Sequence, residues 1–290
     1  MNPIVYTLLV ILATSLMGSS FAIGKMGLAY VSPFLLVGLR FTIAGLIMSL
    51  WVKNKKLHSP KDTWIKIFII GLFQTTGVMG CIFLSLRTIT AGESSILTFI
   101  NPLLVVILGT IFLRMKYRLY QWIGVLIGCL GVIVTFGFHL QLQPGTLLGL
   151  GAGISWAIAT ILVKKWGSHF DIWVLTAYQM LFGGLVLLLL SIILESPKMI
   201  INIESISIVL YLAIMGSIVQ FATWYYLLNK GDPGKTSAFL FLAPFFGVLF
   251  GWLLLDEIVQ WYVYLGGLLI FIGIFLVNWN FSKEKISSFK

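Results

Sequence analysis

The sequence is poor in charged residues, and poorest in acidic ones. Only 10% of its 290 residues are Asp, Glu, Lys or Arg, whereas a soluble domain contains about 25%. Because 59% of the residues are hydrophobic and the mean hydropathy is +1.04, a soluble fold of this length could not bury its apolar surface. The composition therefore predicts an integral membrane protein.

Residues for disulfides, metal binding and catalysis are also scarce. The two cysteines, Cys81 and Cys129, lie inside apolar runs and are predicted to be free thiols. The three histidines, His58, His139 and His169, fall in predicted loops, and there is no HExxH motif or buried Asp pair. We therefore expect no metal or cofactor, and an intramembrane enzyme is disfavoured. A channel would need rings of charge or a carbonyl filter, and neither is recognisable.

Long apolar runs are what the sequence has in abundance. A membrane-spanning helix needs about 20 mostly apolar residues. The runs cover residues 4–24, 26–52, 67–86, 94–113, 119–138, 140–163, 172–194, 205–229, 236–255 and 258–282. They predict an all-α membrane protein with ten transmembrane helices and no soluble domain. Arg40 is the one full charge well inside a run.

The excess of positive charge lies in the short loops between these runs. If the N-terminus is cytoplasmic, the Lys and Arg residues divide 15 to 3 between cytoplasmic and outer loops, with Arg40 inside a span. Such an asymmetry is typical of membrane topology signals, so nucleic acid is not an expected partner. We expect a multi-pass plasma membrane protein with both termini, including a basic tail at residues 283–290, in the cytoplasm.

The chain repeats itself at an offset of about 142 residues. At that offset "AGESSILTFINPLLVVILG" aligns with "PGKTSAFLFLAPFFGVLFG", and at 139 "MGSSFAIGK" aligns with "WAIATILVK". The sequence therefore predicts two five-helix repeats, residues 1–139 and 140–282. Because five is odd, the second repeat must enter the membrane inverted relative to the first, as in many secondary transporters.

A proline recurs at the same place in the fourth helix of each repeat. Pro102 aligns with Pro244, and proline bends a helix because it removes a backbone donor and clashes with the preceding turn. Both are predicted helix kinks. A kink that serves packing and one that serves a ligand site both remain open.

These features together resemble the drug/metabolite transporter superfamily, in particular proteins with two EamA domains. The resemblance rests on the ten spans, the duplication, the paired proline segments and Arg40 in "VGLRFTIAGL". The family's first span often carries Trp where this chain has Met17, whereas the second repeat keeps Trp156. The resemblance implies a carrier of small organic metabolites, often an exporter of amino acids, whose fourth and fifth helices lie away from the central pathway.

Polar and aromatic residues concentrate in the helices that the resemblance places around that pathway. A mostly apolar pocket with a few amides suits an amphipathic small molecule. Hydrogen bonding between helices is the alternative role for each amide. The candidates for the substrate cavity are Arg40, Gln74, Asn101, Trp156, Tyr178, Gln179, Gln220 and Trp224.

The few acidic residues lie near span ends. Glu93 is the one carboxylate positioned for gating or for an ion pair with Arg40, whose other expected partner is an anionic group on the substrate. Asp256 and Glu257 are expected to be solvated loop charges. Because the spans otherwise hold no Asp or Glu, a buried acidic relay for proton coupling is not supported.

The sequence therefore predicts a secondary carrier that works by alternating access. Its expected partners are a small-molecule substrate and the lipid bilayer. A monomer is compatible with this architecture, and the oligomeric state stays open. A lipid flippase of the same superfamily is the alternative function.

Overall fold

The structure is a computed structural model that describes residues 3–53, 61–135, 143–166, 171–230 and 239–278. These residues form helices, and their one β-type pairing is an isolated bridge between Val31 and Met199. The helical rods in chain order are α1 (Pro3–Gly27), α2 (Pro33–Val52), α3 (Lys61–Gly71, Leu72–Gly77 and Val78–Ser85), α4 (Ala91–Thr98 and Asn101–Leu113), α5 (Leu119–Thr135), α6 (Pro144–Trp166), α7 (Ile172–Leu194), α8 (Ile203–Ala213, Ile214–Val219 and Gln220–Lys230), α9 (Phe239–Phe241 and Leu242–Leu255) and α10 (Trp261–Asn278).

Seven of these rods, α1 to α4 and α6 to α8, are long and apolar enough to cross a membrane. Their outward faces carry large hydrophobic side chains, for example Leu50 at 67% and Ile192 at 71% exposure, as expected of helices in contact with lipid. The all-α prediction and the multi-pass membrane character are therefore confirmed for the described residues.

The remaining three rods are apolar but shorter. The α-helical part of α9 has 14 residues and α10 has 18. At about 1.5 Å per residue these helices measure roughly 21 and 27 Å, somewhat less than the hydrocarbon core of about 30 Å. That α5, α9 and α10 also span the membrane stays a prediction.

Side chains cap the starts of α7 and α8. Asp171 Oδ1 accepts from the backbone nitrogens of Trp173 and Val174 at the start of α7. Asn202 and Ser205 form a reciprocal capping box at the start of α8. These caps satisfy backbone donors that have no partner within the helix.

Helices α2 and α7 cross at close range, where glycines replace side chains. A Cβ atom on Gly45 would lie 2.5 Å from the backbone nitrogen of Leu181. A Cβ atom on Gly184 would lie 2.6 Å from that of Thr42. Gly45 and Gly184 align in the sequence repeat, so the two halves contribute equivalent glycines to this crossing.

The same reciprocity holds at the packing of α5 against α10. A Cβ atom on Gly124 would lie 2.6 Å from the carbonyl oxygen of Gly273. One on Gly131 would lie 2.7 Å from that of Gly266. Gly124 aligns with Gly266 and Gly131 with Gly273, so the two contacts exchange under the repeat. The first helix of each half also packs on the fourth helix of the other half: α1 packs on α9, and α6 packs on α4.

Two π-helical turns occupy equivalent places in the two halves. Residues Leu72–Gly77 widen α3, and Ile214–Val219 widen α8. Both turns are six residues long and begin 142 residues apart, which is the offset of the repeat. π-Turns inside α-helices are rare and often mark functional sites. Their recurrence therefore indicates that α3 and α8 contribute to a functional site.

Candidate functional site

A cavity of about 360 Å³ lies between the two halves. Its walls come from α1 to α4, from α6 to α8 and from Leu240 just before the α-helical part of α9. None of its lining residues comes from α5 or α10. Its aromatic lining consists of Phe21, Phe83, Phe99, Trp156, Phe221 and Trp224.

The cavity brings together six of the eight residues that the sequence singled out. They are Arg40, Gln74, Trp156, Gln179, Gln220 and Trp224. Met17 also lines it. The Trp156 ring packs edge-on against Phe99, with ring centroids 5.2 Å apart.

Two cavity candidates lie elsewhere. Tyr178 packs edge-on against Trp64, with centroids 4.8 Å apart, because it faces about 100° away from Gln179 on the same helix. Asn101 is buried and lines a separate small cavity of about 20 Å³. Conversely, α4 is less peripheral than expected, since its Thr98 and Phe99 line the main cavity.

The two predicted kink prolines meet at that small cavity. Pro102 follows an interruption of α4 at residues 99–100, and Pro244 lies in the first turn after the 3₁₀ turn of α9. Both line the small cavity. It shares Phe99, Trp156 and Leu240 with the main cavity, so the breaks lie directly behind the cavity wall.

Arg40 reaches across to the opposite half. Its side chain is 2% exposed, Nε donates to Ser217 Oγ at 2.9 Å, and Nη2 donates to the Gly216 carbonyl at 2.6 Å. Both acceptors belong to the π-turn of α8. Its guanidinium carbon lies 4.7 Å from the centroid of the Phe41 ring.

The expected ion pair between Arg40 and Glu93 is not formed. Glu93 lies in the first turn of α4, where Thr146 Oγ1 is 3.4 Å from its Oε1 and its backbone nitrogen donates to Thr90 Oγ1. Arg40 turns instead toward α8. Glu93 is therefore half-buried at the predicted outer end, outside the main cavity.

Gln179, in the second half, makes the equivalent contact with the π-turn of the first half. Thr75 Oγ1 donates to Gln179 Oε1 at 2.6 Å, and Thr75 belongs to the π-turn of α3. Arg40 and Gln179 align in the repeat, as do Thr75 and Ser217. Each half thus presents a long polar side chain from its second helix to the hydroxyl in the other half's π-turn.

Thr75 and Ser217 are not among the site residues that the sequence predicts. Hydroxyl side chains are common in membrane helices, so neither residue stands out alone. Their shared offset of 142 residues, in apolar surroundings, was the available signal.

The cavity lining contains one formal charge. Apart from Arg40, its polar members are neutral amides and hydroxyls, including Ser20, Thr98, Thr160 and Thr176, and no Asp or Glu lines it in the part of the chain that the structure describes. No three His, Cys, Asp or Glu residues come together as a metal site among the described residues. His58, His139 and His169 lie outside them.

An ion pair at the predicted outer end joins the halves. Lys25 Nζ lies 2.6 Å from Glu257 Oε1 and 2.8 Å from the Ile89 carbonyl. Glu257 Oε2 accepts from the backbone nitrogen of Ala91 at 2.8 Å. The Glu257 side chain is 8% exposed, so the expectation of a solvated loop charge was wrong for this residue, whereas Asp256 is exposed.

Backbone hydrogen bonds also join the two halves at the same end. Ser32 donates its backbone N–H to the Lys198 carbonyl at 3.0 Å, and Ile200 donates to the Tyr30 carbonyl at 2.9 Å. These bonds tie the turn between α1 and α2 to the segment between α7 and α8. The cavity lining, by contrast, extends to Val163 and Ile172, at the ends of α6 and α7 that are predicted to face the cytoplasm.

Comparison with known proteins is consistent with this architecture. The model of the EamA-like transporter family matches the chain twice, at residues 5–137 and 143–279. "Uncharacterized transporter YoaV" of Bacillus subtilis is 29% identical over 285 residues, which cover 96% of this chain and 98% of the relative. An "Uncharacterized transporter" of Archaeoglobus fulgidus is 27% identical over 93% of this chain and 96% of its own length.

More distant matches cover the chain as fully. "Protein PecM" of Dickeya dadantii is 25% identical over 90% of this chain and 88% of the relative. A solved structure described as "Crystal structure of protein" superposes with a TM-score of 0.65 at 23% identity, covering 94% of this chain and 96% of that one. That likeness concerns the fold alone.

Proposed function

Since the chain belongs to the EamA-like transporter family, we propose that it is a secondary carrier that exports a small organic metabolite across the plasma membrane by alternating access. The cargo is an amino acid or a related amphipathic compound. The observation that carries the proposal is the cavity of about 360 Å³ that is walled by both halves, since a site between two repeats becomes accessible from either side when the halves rock.

The reciprocal contacts support two repeats, residues 1–139 and 140–282, related by inversion. The hydrogen bonds of Arg40 and of Gln179, the α2–α7 crossing and the α5–α10 packing each exchange under the repeat. In this proposal all ten rods cross the membrane, and both termini, with the basic tail at 283–290, lie in the cytoplasm. Two related halves that meet over one site are what rigid-body rocking requires.

The dimensions and chemistry of the cavity support an amphipathic cargo. A volume of about 360 Å³ lies near the lower end of the range of about 300–1,000 Å³ for small-molecule sites. Six aromatic rings line it beside a few amides and hydroxyls. The direction of export rests on the resemblance to metabolite exporters of the superfamily.

A counterflow assay tests the proposal. Proteoliposomes loaded with one unlabelled solute at a time, from a set of amino acids, nucleosides and sugars, should accumulate the same labelled solute for at least one class. Trp224→Ala, at the cavity wall, should reduce that exchange, whereas Trp252→Ala, on an outward face of α9, should not. Movement of a labelled lipid without exchange of any solute would indicate a flippase instead.

A further inference from the structure

We infer that the cargo is a monocarboxylate with an apolar body, and that its carboxylate binds Arg40. This rests on the proposed carrier function and specifies the substrate class of the same cavity. The observation behind it is a buried guanidinium that faces the cavity with no carboxylate partner among the described residues.

Only one edge of the Arg40 guanidinium is occupied. Nε and one N–H of Nη2 bond to Ser217 and Gly216. Nη1 donates to no acceptor in the described ranges of the chain. A guanidinium offers five N–H donors in a planar fork that matches the two oxygens of a carboxylate. Since Arg40 lines the cavity, its remaining donors are available for a bidentate ligand.

Burial makes an anionic ligand favourable at this position. A charge in an apolar site is costly unless it is paired, because apolar side chains cannot solvate the charge as water does. Gly216 and Ser217 supply neutral oxygens, which share hydrogen bonds but leave the positive charge uncompensated. An anion in the cavity would supply the missing charge.

The rest of the lining selects among anions. A phosphate monoester carries about two negative charges at neutral pH, whereas the described lining holds the single cation Arg40. One carboxylate matches that charge. An ammonium group would meet only neutral acceptors and aromatic faces, because no lining carboxylate is described, so an α-amino group is tolerated but not required.

A series of four compounds that share a phenyl ring tests this inference. Binding of 3-phenylpropanoate, phenylalanine, 3-phenylpropanamide and 2-phenylethylamine to the purified protein would be measured by calorimetry in detergent. We expect the two carboxylates to bind at least tenfold more tightly than the amide and the amine. Arg40→Gln should abolish that difference, whereas Arg87→Gln, an exposed arginine outside the cavity, should preserve it.

Equal affinity for amide and carboxylate, or tighter binding of the amine, would overturn the inference. If none of the four compounds binds, the inference is tested with the solute identified by counterflow, by measuring its exchange in Arg40→Gln. An anionic solute whose exchange falls at least tenfold in Arg40→Gln supports the inference. A neutral solute whose exchange Arg40→Gln leaves unchanged overturns it, while the proposed carrier function stands.

A second inference comes from the two ends of the molecule and does not involve the cavity. We propose that the pair Lys25–Glu257 is an outer latch. The equivalent residues at the predicted cytoplasmic end, Lys164 and Met115, form no ion pair with each other, so the latch biases the carrier toward the state closed on the outside. It rests on the proposed alternating access, and on a comparison of equivalent residues in the two halves.

The latch is built into a repeated backbone motif. Asp256 has a left-handed backbone, and the backbone nitrogen of Glu257 donates to the Gly251 carbonyl at 3.2 Å. In the first half Arg114 is left-handed, and Met115 donates to the Gly109 carbonyl at 3.1 Å. The matching residues are 142 apart, so Met115 stands where the second half has Glu257.

The lysine of the latch has an equivalent at the other end, whereas Met115 stands at the position equivalent to Glu257. Lys164 aligns with Lys25, and its Nζ lies 3.1 Å from Met115 Sδ. A thioether is a weak acceptor without charge, so this contact contributes much less than the ion pair between Lys25 and Glu257. The contacts that join the halves at the outer end are therefore consistent with an asymmetric latch.

Thiol labelling from outside tests the latch. Cells expressing a Cys81→Ala/Cys129→Ala background with Ser20→Cys at the cavity would be treated with a membrane-impermeant thiol reagent. We expect Glu257→Gln to raise the labelling rate severalfold. Met115→Glu should raise it as well, by pairing with Lys164 and closing the cytoplasmic end, and the double variant should raise it most.

The matched control is Asp256→Asn, which removes the neighbouring exposed carboxylate and should leave labelling unchanged. Unchanged labelling in both Glu257→Gln and Met115→Glu, while counterflow persists, would overturn the latch and leave the carrier function intact. An increase in Asp256→Asn equal to that in Glu257→Gln would also overturn it, since the effect would then reflect general loop charge.

Discussion

Replacing Thr75 by Val removes one hydrogen-bond donor from the contact between the two halves while keeping the shape of the side chain. Thr75 Oγ1 donates to Gln179 Oε1 at 2.6 Å, and the two side chains are 1% and 4% exposed. The variant leaves the almost fully buried Gln179 side chain without this donor for its amide oxygen. We therefore expect Thr75→Val to destabilise the protein.

The expected magnitude follows from this burial. A buried acceptor left unpaired costs about 1–3 kcal/mol, whereas pairs measured within membrane bundles average about 0.6 kcal/mol. Since both side chains are almost fully buried and the bond is short, we expect a loss of about 1 kcal/mol, between these values. Gln179→Leu alone should cost less, because the Thr75 hydroxyl can turn to a carbonyl of its own helix.

A double-mutant cycle isolates the contact. Thr75→Val/Gln179→Leu replaces both partners by apolar groups, so its cost should fall short of the sum of the single variants by about 1 kcal/mol. Equilibrium unfolding in mixed detergent micelles would measure all four proteins. Thr110→Val is the matched control, since that hydroxyl bonds only to the Val106 carbonyl of its own helix.

Two results would refute the reasoning. Additive costs, within about 0.3–0.5 kcal/mol, would mean that the Thr75–Gln179 bond does not contribute to stability. A loss in Thr110→Val as large as that in Thr75→Val would mean that the cost comes from the hydroxyl substitution itself. Either would remove the support that this bond lends to the paired π-turns.

Three further predictions concern topology, packing and access. Reporter fusions after Lys290 and within residues 139–145 should report opposite sides of the membrane; the same side for both would contradict ten spans. Gly184→Ala should lower the free energy of unfolding by about 1–3 kcal/mol, because it overpacks the α2–α7 crossing. Gly151→Ala should be neutral, because its added Cβ would lie 3.5 Å from its nearest neighbour. Equal costs would contradict the close approach of α2 and α7. A cysteine at Trp224 should react with a small polar thiol reagent and be protected by transported solute, unlike one at Tyr178; equal protection would contradict the described cavity wall.

The membrane class, the all-α fold and the repeat could be predicted from the sequence, because each depends on a pattern along the chain. Hydrocarbon contains no water to satisfy backbone groups, so an apolar run of sufficient length must be helical. Pro102 and Pro244 recur at one offset, which the family match in two segments bears out as a duplication. Arg40 could be predicted to face the interior, because a lipid-facing charge is costly.

Which polar side chains meet was decided by the tertiary structure. Tyr178 and Gln179 are neighbours in a uniformly apolar helix, and the pattern does not reveal which of them faces the cavity. The π-turns shift the register of α3 and α8, so Thr75 and Ser217 face partners that α-helical spacing would not indicate. Glu257 looks like a loop charge until Lys25, 232 residues earlier in the chain, is placed beside it.

The physical reason for this division is the range of the forces involved. Helix formation in lipid is settled within about 20 residues, because every backbone hydrogen bond closes within the same segment. The cavity, the position of Arg40 in its wall and the outer ion pair depend on how helices from different halves approach one another. The helices and their duplication therefore follow from patterns along the chain, whereas the residues of each half that face the cavity and the ends of the molecule depend on how the helices pack.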